Sequence, residues 1–301
     1  MSKTKNTTNA AAEEEQTGTT ALATTNGGAL VEAPSYLAAE DFAMAAGFEG
    51  ADTDSYAIPF LQVLQKMSPL VDEDSPKYIE GAKAGMIYNT VTGRLYDGKS
   101  GLLVIPCSYK RTYIQWGARD GDGGFKGEFT PDQYAAMVEN KEVSVIDGKA
   151  YLPMENGKVD VKKSDYIADT RVHYVLAIDP ETGDASMAVI SLAGTQTKAS
   201  RTLMTLLQQK RVNTVHGKRM PPTFANLVRF TTMPMSNDKG NWSSAKFELE
   251  GMVGDKQTFE DAKGFYNAIS GGTIKADHAK SGSDVAGDTG VSEGSAEAEN
   301  F

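Results

Sequence analysis

The chain has 301 residues, is 40% hydrophobic and carries a formal net charge of −10, enough apolar material for one large core or two small ones. No apolar run nears the roughly 20 residues that cross a bilayer, and the opening MSKTKNTTNAAAEEEQ lacks a signal-peptide apolar segment, which points to a cytoplasmic protein with no membrane partner. The single cysteine, Cys107, excludes an intrachain disulfide framework and sits in GLLVIPCSY as a small buried hydrophobe.

Residues 1–55 are rich in Thr, Ala, Asn, Gly and Glu and form an acidic segment expected to be disordered, with one short amphipathic helix at SYLAAEDFAMAAGF. From Ile58 the texture becomes short apolar or alternating runs broken by turns. MIYNTVTGRLYDGKSGLLVIPCSYKRTYIQW holds three strands with turns at Thr92-Gly93 and Asp97-Gly98. TPDQYAAMVEN predicts a helix with Thr130 as its N-cap and Pro131 in its first position. VSVIDGKAYL is a hairpin around Asp147-Gly148, and TRVHYVLAIDPETGDASMAVISLAG is a longer one around Asp179–Gly183. TKASRTLMTLLQQKR places Leu203, Leu206 and Leu207 on one helical face and leaves Arg201, Lys210 and Arg211 elsewhere. FANLVRFTTMPM and WSSAKFELEGMV pair across SNDKGN, and DKQTFEDAKGFYNAIS forms a last helix on Phe259, Ala262, Tyr266 and Ile269, ended by Gly271-Gly272. Residues 271–301 are too rich in Gly, Ser, Ala and Asp to offset the entropy of ordering and are expected to be a disordered acidic tail.

About eight strands with few helices predict a β-rich α+β domain over residues 56–270. One prominent helix set between two hairpins suits an elaborated OB-fold-like Greek-key barrel. A generic β-sandwich gives much the same texture.

No catalytic constellation emerges, so an enzyme is not expected. His173, His216 and His278 lack metal-ligand spacing, and there is no phosphate-cradling Gly-rich loop, G-x-S-x-G or Cys–His pair with a third member. DGDGG at 120–124 lacks the register of a calcium loop, and Glu248 and Glu250 alternate on one strand as a solvated face. No metal or cofactor is expected.

Binding signals are stronger. In YKRTYIQW, Tyr109, Arg111 and Tyr113 project to one strand face and Lys110 and Trp116 to the other, an interleaving of rings and cations suited to stacking bases and meeting phosphates. The charge is also unevenly spread. Residues 1–55 carry nine acids and two bases and residues 276–301 six acids and one base, so the body between them is mildly basic. Residues 185–237 hold no Asp or Glu, yet contain Lys198, Arg201, Lys210, Arg211, Lys218, Arg219 and Arg229. Such a stretch can form the wall of a groove for a nucleic-acid backbone. The tail, with no base after Lys280, is a tethered polyanion that can compete for that groove and present Phe301 to a partner.

A basic β-rich body followed by an acidic tail closing in EAENF resembles the single-stranded DNA-binding proteins of bacteria and tailed phages. The stretch IPFLQVLQKMSPLVDEDSPKYIEGAKAGMIYNTVTGRLY is similar to an uncharacterised protein common among tailed phages. The resemblance implies an OB-fold that coats single-stranded DNA in replication or recombination, compatible with a homo-oligomer. It puts the docking of replication or recombination proteins on Glu297, Glu299 and Phe301, although here the carboxylates are spaced by Ala and Gly. Two alternatives stand beside it: a virion structural or assembly protein, and a recombination enzyme that processes DNA.

Overall fold

The computed structural model describes residues 56–281, apart from 119, 121, 122 and 239. The expected helix at SYLAAEDFAMAAGF and the docking residues Glu297, Glu299 and Phe301 lie outside the described residues. Along the chain come β1 (Leu61–Val63), β2 (Ile87–Asn89), β3 (Leu95–Tyr96), β4 (Leu102–Trp116), β5 (Phe125–Phe129), α1 (Pro131–Glu139), β6 (Ser144–Ile146) and β7 (Lys149–Tyr151). Then follow β8 (Tyr166–Ile178), β9 (Ala185–Ala193), α2 (Thr197–Gln209), β10 (Val212–Thr214), β11 (Gly217–Arg219), β12 (Asn226–Asn237), β13 (Gly240–Met252) and α3 (Lys256–Ser270).

Local chemistry accounts for the turns and caps. Asp147 and Gly148 both take left-handed backbone, at φ 51° and 76°, which lets two residues reverse the chain between β6 and β7. Thr130 and Gln133 form a reciprocal capping box at the start of α1, with Pro131 in the first turn. The last helix departs from its expected face. It buries Ala262, Phe265 and Ile269, whereas Tyr266 is 39% exposed, because the core contact steps three residues from Ala262 rather than four.

The long antiparallel pair β4–β8 is the spine of an eight-stranded sheet ordered β13-β12-β4-β8-β7-β6, with β5 added to β4 and β9 to β8. The register slips between Pro106 and Ser108, so Cys107 is an extra residue at a bulge where proline's missing N–H costs no ladder bond. Each of these two long strands also serves two further neighbours. β12 pairs β4 at Leu102–Val104 and β5 pairs it at Tyr113–Trp116.

Alternation sorts the side chains into two cores. On one face Leu102, Val104, Val175, Ile190, Val228, Phe230 and Phe247 converge from five strands and are covered by Leu203 and Leu207 of α2. Convergence of five strands on one interior requires the sheet to curl. The result is a β-rich half-barrel with three α-helices among the described residues, and the OB-like class holds. On the other face Ile105, Cys107, Val172, Tyr174 and Leu176 meet Ala262, Phe265 and Ile269 of α3. Burial pushes the Cys107 thiol up to about 12 and keeps it protonated.

Residues 271–281 correct the expected boundary of the tail. Beyond α3, Ile274 joins the second core and the Ala276 amide donates to the Tyr174 hydroxyl at 3.1 Å. The buried ring of His278 lies between Phe60 and Phe125, and Gln62 donates to the Ser281 carbonyl. Composition missed this strap because the residues that pack, Ile274, Ala276, His278 and Ser281, do not form an apolar run.

Gly101 leads into β4 at φ +61°, and a Cβ there would stand 2.0 Å from the Phe230 carbonyl oxygen. Gly93 is also left-handed, at φ +72°, but faces open space. Gly93→Ala should cost about 1–2 kcal/mol, the left-handed penalty alone. Gly101→Ala should cost about 1–3 kcal/mol more in urea unfolding, because backbone must move. Equal losses would show that the close approach relaxes without strain.

Candidate nucleic-acid interface

Helix α2 is held over the curled sheet by packing and by polar staples. Leu203 and Leu207 are buried beneath it, and Ser200 meets His173 Nε2 of β8 at 2.8 Å. At its start, buried Gln196 donates from Nε2 to the Ser243 carbonyl at 2.7 Å and accepts at Oε1 from the Ala245 amide at 2.8 Å. Gln65, just past β1, accepts from the Ser243 amide at 3.0 Å and donates to the same carbonyl at 2.9 Å. These amides satisfy the outward backbone of β13, the last strand in the sheet order.

Beside α2, the β12–β13 hairpin leaves a groove of about 620 Å³. Its floor and walls are mostly apolar: Ala199 of α2, Met233 and Met235 of β12, Trp242 and Phe247 of β13. Lys198 lines one wall and Lys246 the other. Lys246 is paired with Glu248 at 3.0 Å, an exposed pairing that water makes weak and that a phosphate could replace.

From the end of α2 the chain enters a small hairpin, β10–β11, that pairs with no other strand. Arg211, Lys218 and Arg219 are exposed along it, and Val215 at its turn is 94% exposed. Lys210 at the base donates to the Gly251 carbonyl at 2.5 Å, and partial burial lowers its pKa from the ordinary ammonium value. Lys198 and Arg201 are exposed on α2.

Seven arginines lie among the described residues. Arg94, Arg111, Arg171 and Arg229 are each ion-paired, with Asp179 and Glu181, Asp169, Asp169 and Glu250 in turn. Arg201, Arg211 and Arg219 have no carboxylate partner among the described residues. These three guanidinium groups belong to α2 and the hairpin that follows it, and that of Arg211 donates to the Gln208 and Lys210 carbonyls. Glu248 and Glu250 come alongside the acid-free stretch through β13, so the stretch is less exclusively basic in space than in sequence.

The β4 face has the expected register but a different chemistry. Tyr109, Arg111 and Tyr113 do share a side, opposite His173, Arg171 and Asp169 of β8. Tyr113 is buried and stacked on Tyr134 of α1 at 3.9 Å, so its ring is occupied. Arg111 makes two bonds to Asp169, at 3.0 and 2.7 Å, and the half-buried Tyr109 hydroxyl accepts from Arg171 at 3.0 Å. On the other side the Lys110 ammonium sits 5.6 Å over the Tyr174 ring. Trp116 is 2% exposed, packed edge-on against Phe125, and drops out of the candidate surface. Alternation told which residues share a face, but not that α1 and β5 cover that end of the sheet.

Among the described residues no group of three or more His, Cys, Asp or Glu side chains is placed to hold a metal ion. No described helix is long and apolar enough to cross a membrane.

Residues 24–275 match the family described as Pam3 phage gp34-like protein, which is well over half of the chain. The chain belongs to this phage protein family. No curated protein and no solved structure matches it. The gp34-like region begins inside the segment read as an acidic N-terminal arm and ends inside the strap that follows α3.

Three residues of the gp34-like surface escaped the sequence reading: Trp242, Lys246 and Gln196. Trp242 had one signal, an aromatic flanked by Asn241 and Ser243 rather than by apolar neighbours, just after a hairpin loop. Gln196 had none, since nothing local marks an amide that reaches β13.

Replacing Gln196 by Leu keeps the volume but leaves the Ala245 amide without its acceptor. A loss of about 1–3 kcal/mol in urea unfolding is expected, with little change for Gln208→Leu on the exposed side of α2. His173 gives a pH signature. Its complete burial lowers its pKa to about 4, so between pH 6.5 and about 4 the unfolded chain binds a proton that the folded one refuses. Stability should therefore fall with pH across that window, on the order of 2–3 kcal/mol by pH 4.5. His173→Gln should remove this component, which unfolding at pH 7 and pH 4.5 measures.

Proposed function

We propose that this gp34-like protein is a non-catalytic single-stranded DNA-binding protein, acting in the host cytoplasm on strands exposed during phage replication or recombination. The observation that carries the reading is the placement of the unpaired arginines. Elsewhere on the described sheet each guanidinium has a carboxylate, whereas Arg201, Arg211 and Arg219 project from α2 and the β10–β11 hairpin with Lys198 and Lys218 beside them. Cations kept clear of internal acids retain their full attraction for phosphate, and releasing counterions from a bound strand drives association. Met and aromatic side chains line the groove that Lys198 borders, which favours unpaired bases over a closed duplex. The acidic C-terminal segment, with Glu297, Glu299 and Phe301, would recruit the replication or recombination proteins that follow.

The test is a fluorescence-anisotropy titration of labelled oligo(dT) at two salt concentrations, with duplex DNA as competitor. Salt-sensitive binding that prefers single strands is expected. Absence of binding at low salt would reject the reading in favour of a virion assembly role, and strand cleavage with Mg²⁺ would reject it in favour of a nuclease. Replacing Arg211, Lys218 and Arg219 together with Ala should flatten the salt slope by roughly 0.7 for each phosphate that is no longer neutralised. Arg111→Ala should leave the slope unchanged, because Asp169 already holds that guanidinium.

A further inference from the structure

The groove between α2 and the β12–β13 hairpin is the one large feature of the basic face that charge alone leaves unexplained. Its volume of about 620 Å³ falls within the roughly 300–1,000 Å³ of small-molecule sites. Met233 at its edge is 39% exposed, and an indole, a phenyl ring and two thioethers line one concavity. Two polar atoms in that lining are buried with no hydrogen-bond partner among the described residues: the Trp242 indole nitrogen and the Thr195 hydroxyl.

Resting on the proposed DNA-binding reading, we infer that this groove receives one unpaired nucleobase of the bound strand, with Trp242 as the stacking surface. Three features select the ligand. The apolar lining asks for a flat or apolar group, which alone would suit a peptide side chain as well. Thr202 and Asn237, exposed in the lining, offer a hydroxyl and an amide to a hydrogen-bonding edge, which an aliphatic or phenyl side chain lacks and a base carries. Lys198 on one wall, and Lys246 with its weakly held Glu248 on the other, ask for an anion attached to that flat group, as phosphodiester is. The sheet also explains why the base enters here and not on β4. There Tyr113 is stacked on Tyr134, while Trp242 pairs across the hairpin with Met235, a flexible thioether that can move aside.

Because the described tryptophans are Trp116 in the core and Trp242 in the groove, indole emission reports the site directly. The full-length chain and its Trp242→Phe variant are titrated with labelled oligo(dT) and with an abasic oligonucleotide of equal length and charge, following anisotropy and tryptophan emission together. The expected result is quenching by oligo(dT) and little change with the abasic strand, with the quenching abolished in Trp242→Phe. Trp242→Ala should weaken oligo(dT) binding about 5- to 150-fold and leave binding of the abasic strand nearly unchanged. Oligo(dT) that binds by anisotropy yet leaves Trp242 emission as the abasic strand does would overturn the groove assignment while the DNA-binding reading stands. No anisotropy change with either strand would remove both. Should Trp242→Ala unfold, as circular dichroism would show, the comparison of the unaltered chain with Trp242→Phe decides alone.

Discussion

The closing of the sheet depends on two side-chain amides. β13 ends the strand order, and an edge of that kind exposes N–H and carbonyl groups that must find partners. Here Gln65 and Gln196 supply them, one from beside β1 and one from the turn before α2, both converging on Ser243 and its neighbour. A further strand in that position would have sealed the barrel and filled the space beside the helix. The amides hold the edge at Ser243 and Ala245 and Lys210 bonds it at Gly251, while a groove stays open between α2 and the β12–β13 hairpin.

The central β4–β8 ladder divides the molecule's chemistry along its length. Its first part carries aliphatic side chains on both faces and is covered by α2 on one side and α3 on the other. Its far part carries Tyr109, Arg111, Asp169 and Arg171, a network in which one carboxylate serves two guanidinium groups. Such a network fixes two strands in register and leaves little charge to attract a ligand. Among the described residues Arg201, Arg211 and Arg219, on α2 and the hairpin after it, escape such carboxylate pairing, although Glu248 of β13 lines the same groove as Lys198. On the proposed reading, function sits on the additions to the sheet rather than on the sheet itself.

Much of the fold could be read in the sequence because its signals are local. The turns at Asp147-Gly148 and Thr92-Gly93, the capped start of α1 and the alternation in Val172–Ile178 each need only a few residues to declare themselves. Strand alternation also told that Tyr109, Arg111 and Tyr113 share a side. What was not legible is which neighbours the topology brings. Asp169 lies 58 positions from Arg111 and Gln196 lies 47 from Ser243, and no window of the chain contains either pair. The same holds for Trp116, which reads as a partner of the nearby cations until β5 folds Phe125 against it. Composition misjudged the strap after α3 for a related reason, since its anchoring partners Phe60, Gln62 and Tyr174 come from distant segments.

That strap has a consequence for the order in which the molecule is assembled. α3 and residues 271–281 cover one face of the first part of the β4–β8 ladder and end by binding Gln62 of the first strand. During synthesis the strands of β4 and β8 leave the ribosome with this face bare, and Ile105, Val172 and Leu176 must wait for the last quarter of the described chain to cover them. The polypeptide therefore passes through a stage in which most of its sheet exists with one oily side uncovered. Only once residues 256–281 have docked is that face covered and the hazard removed.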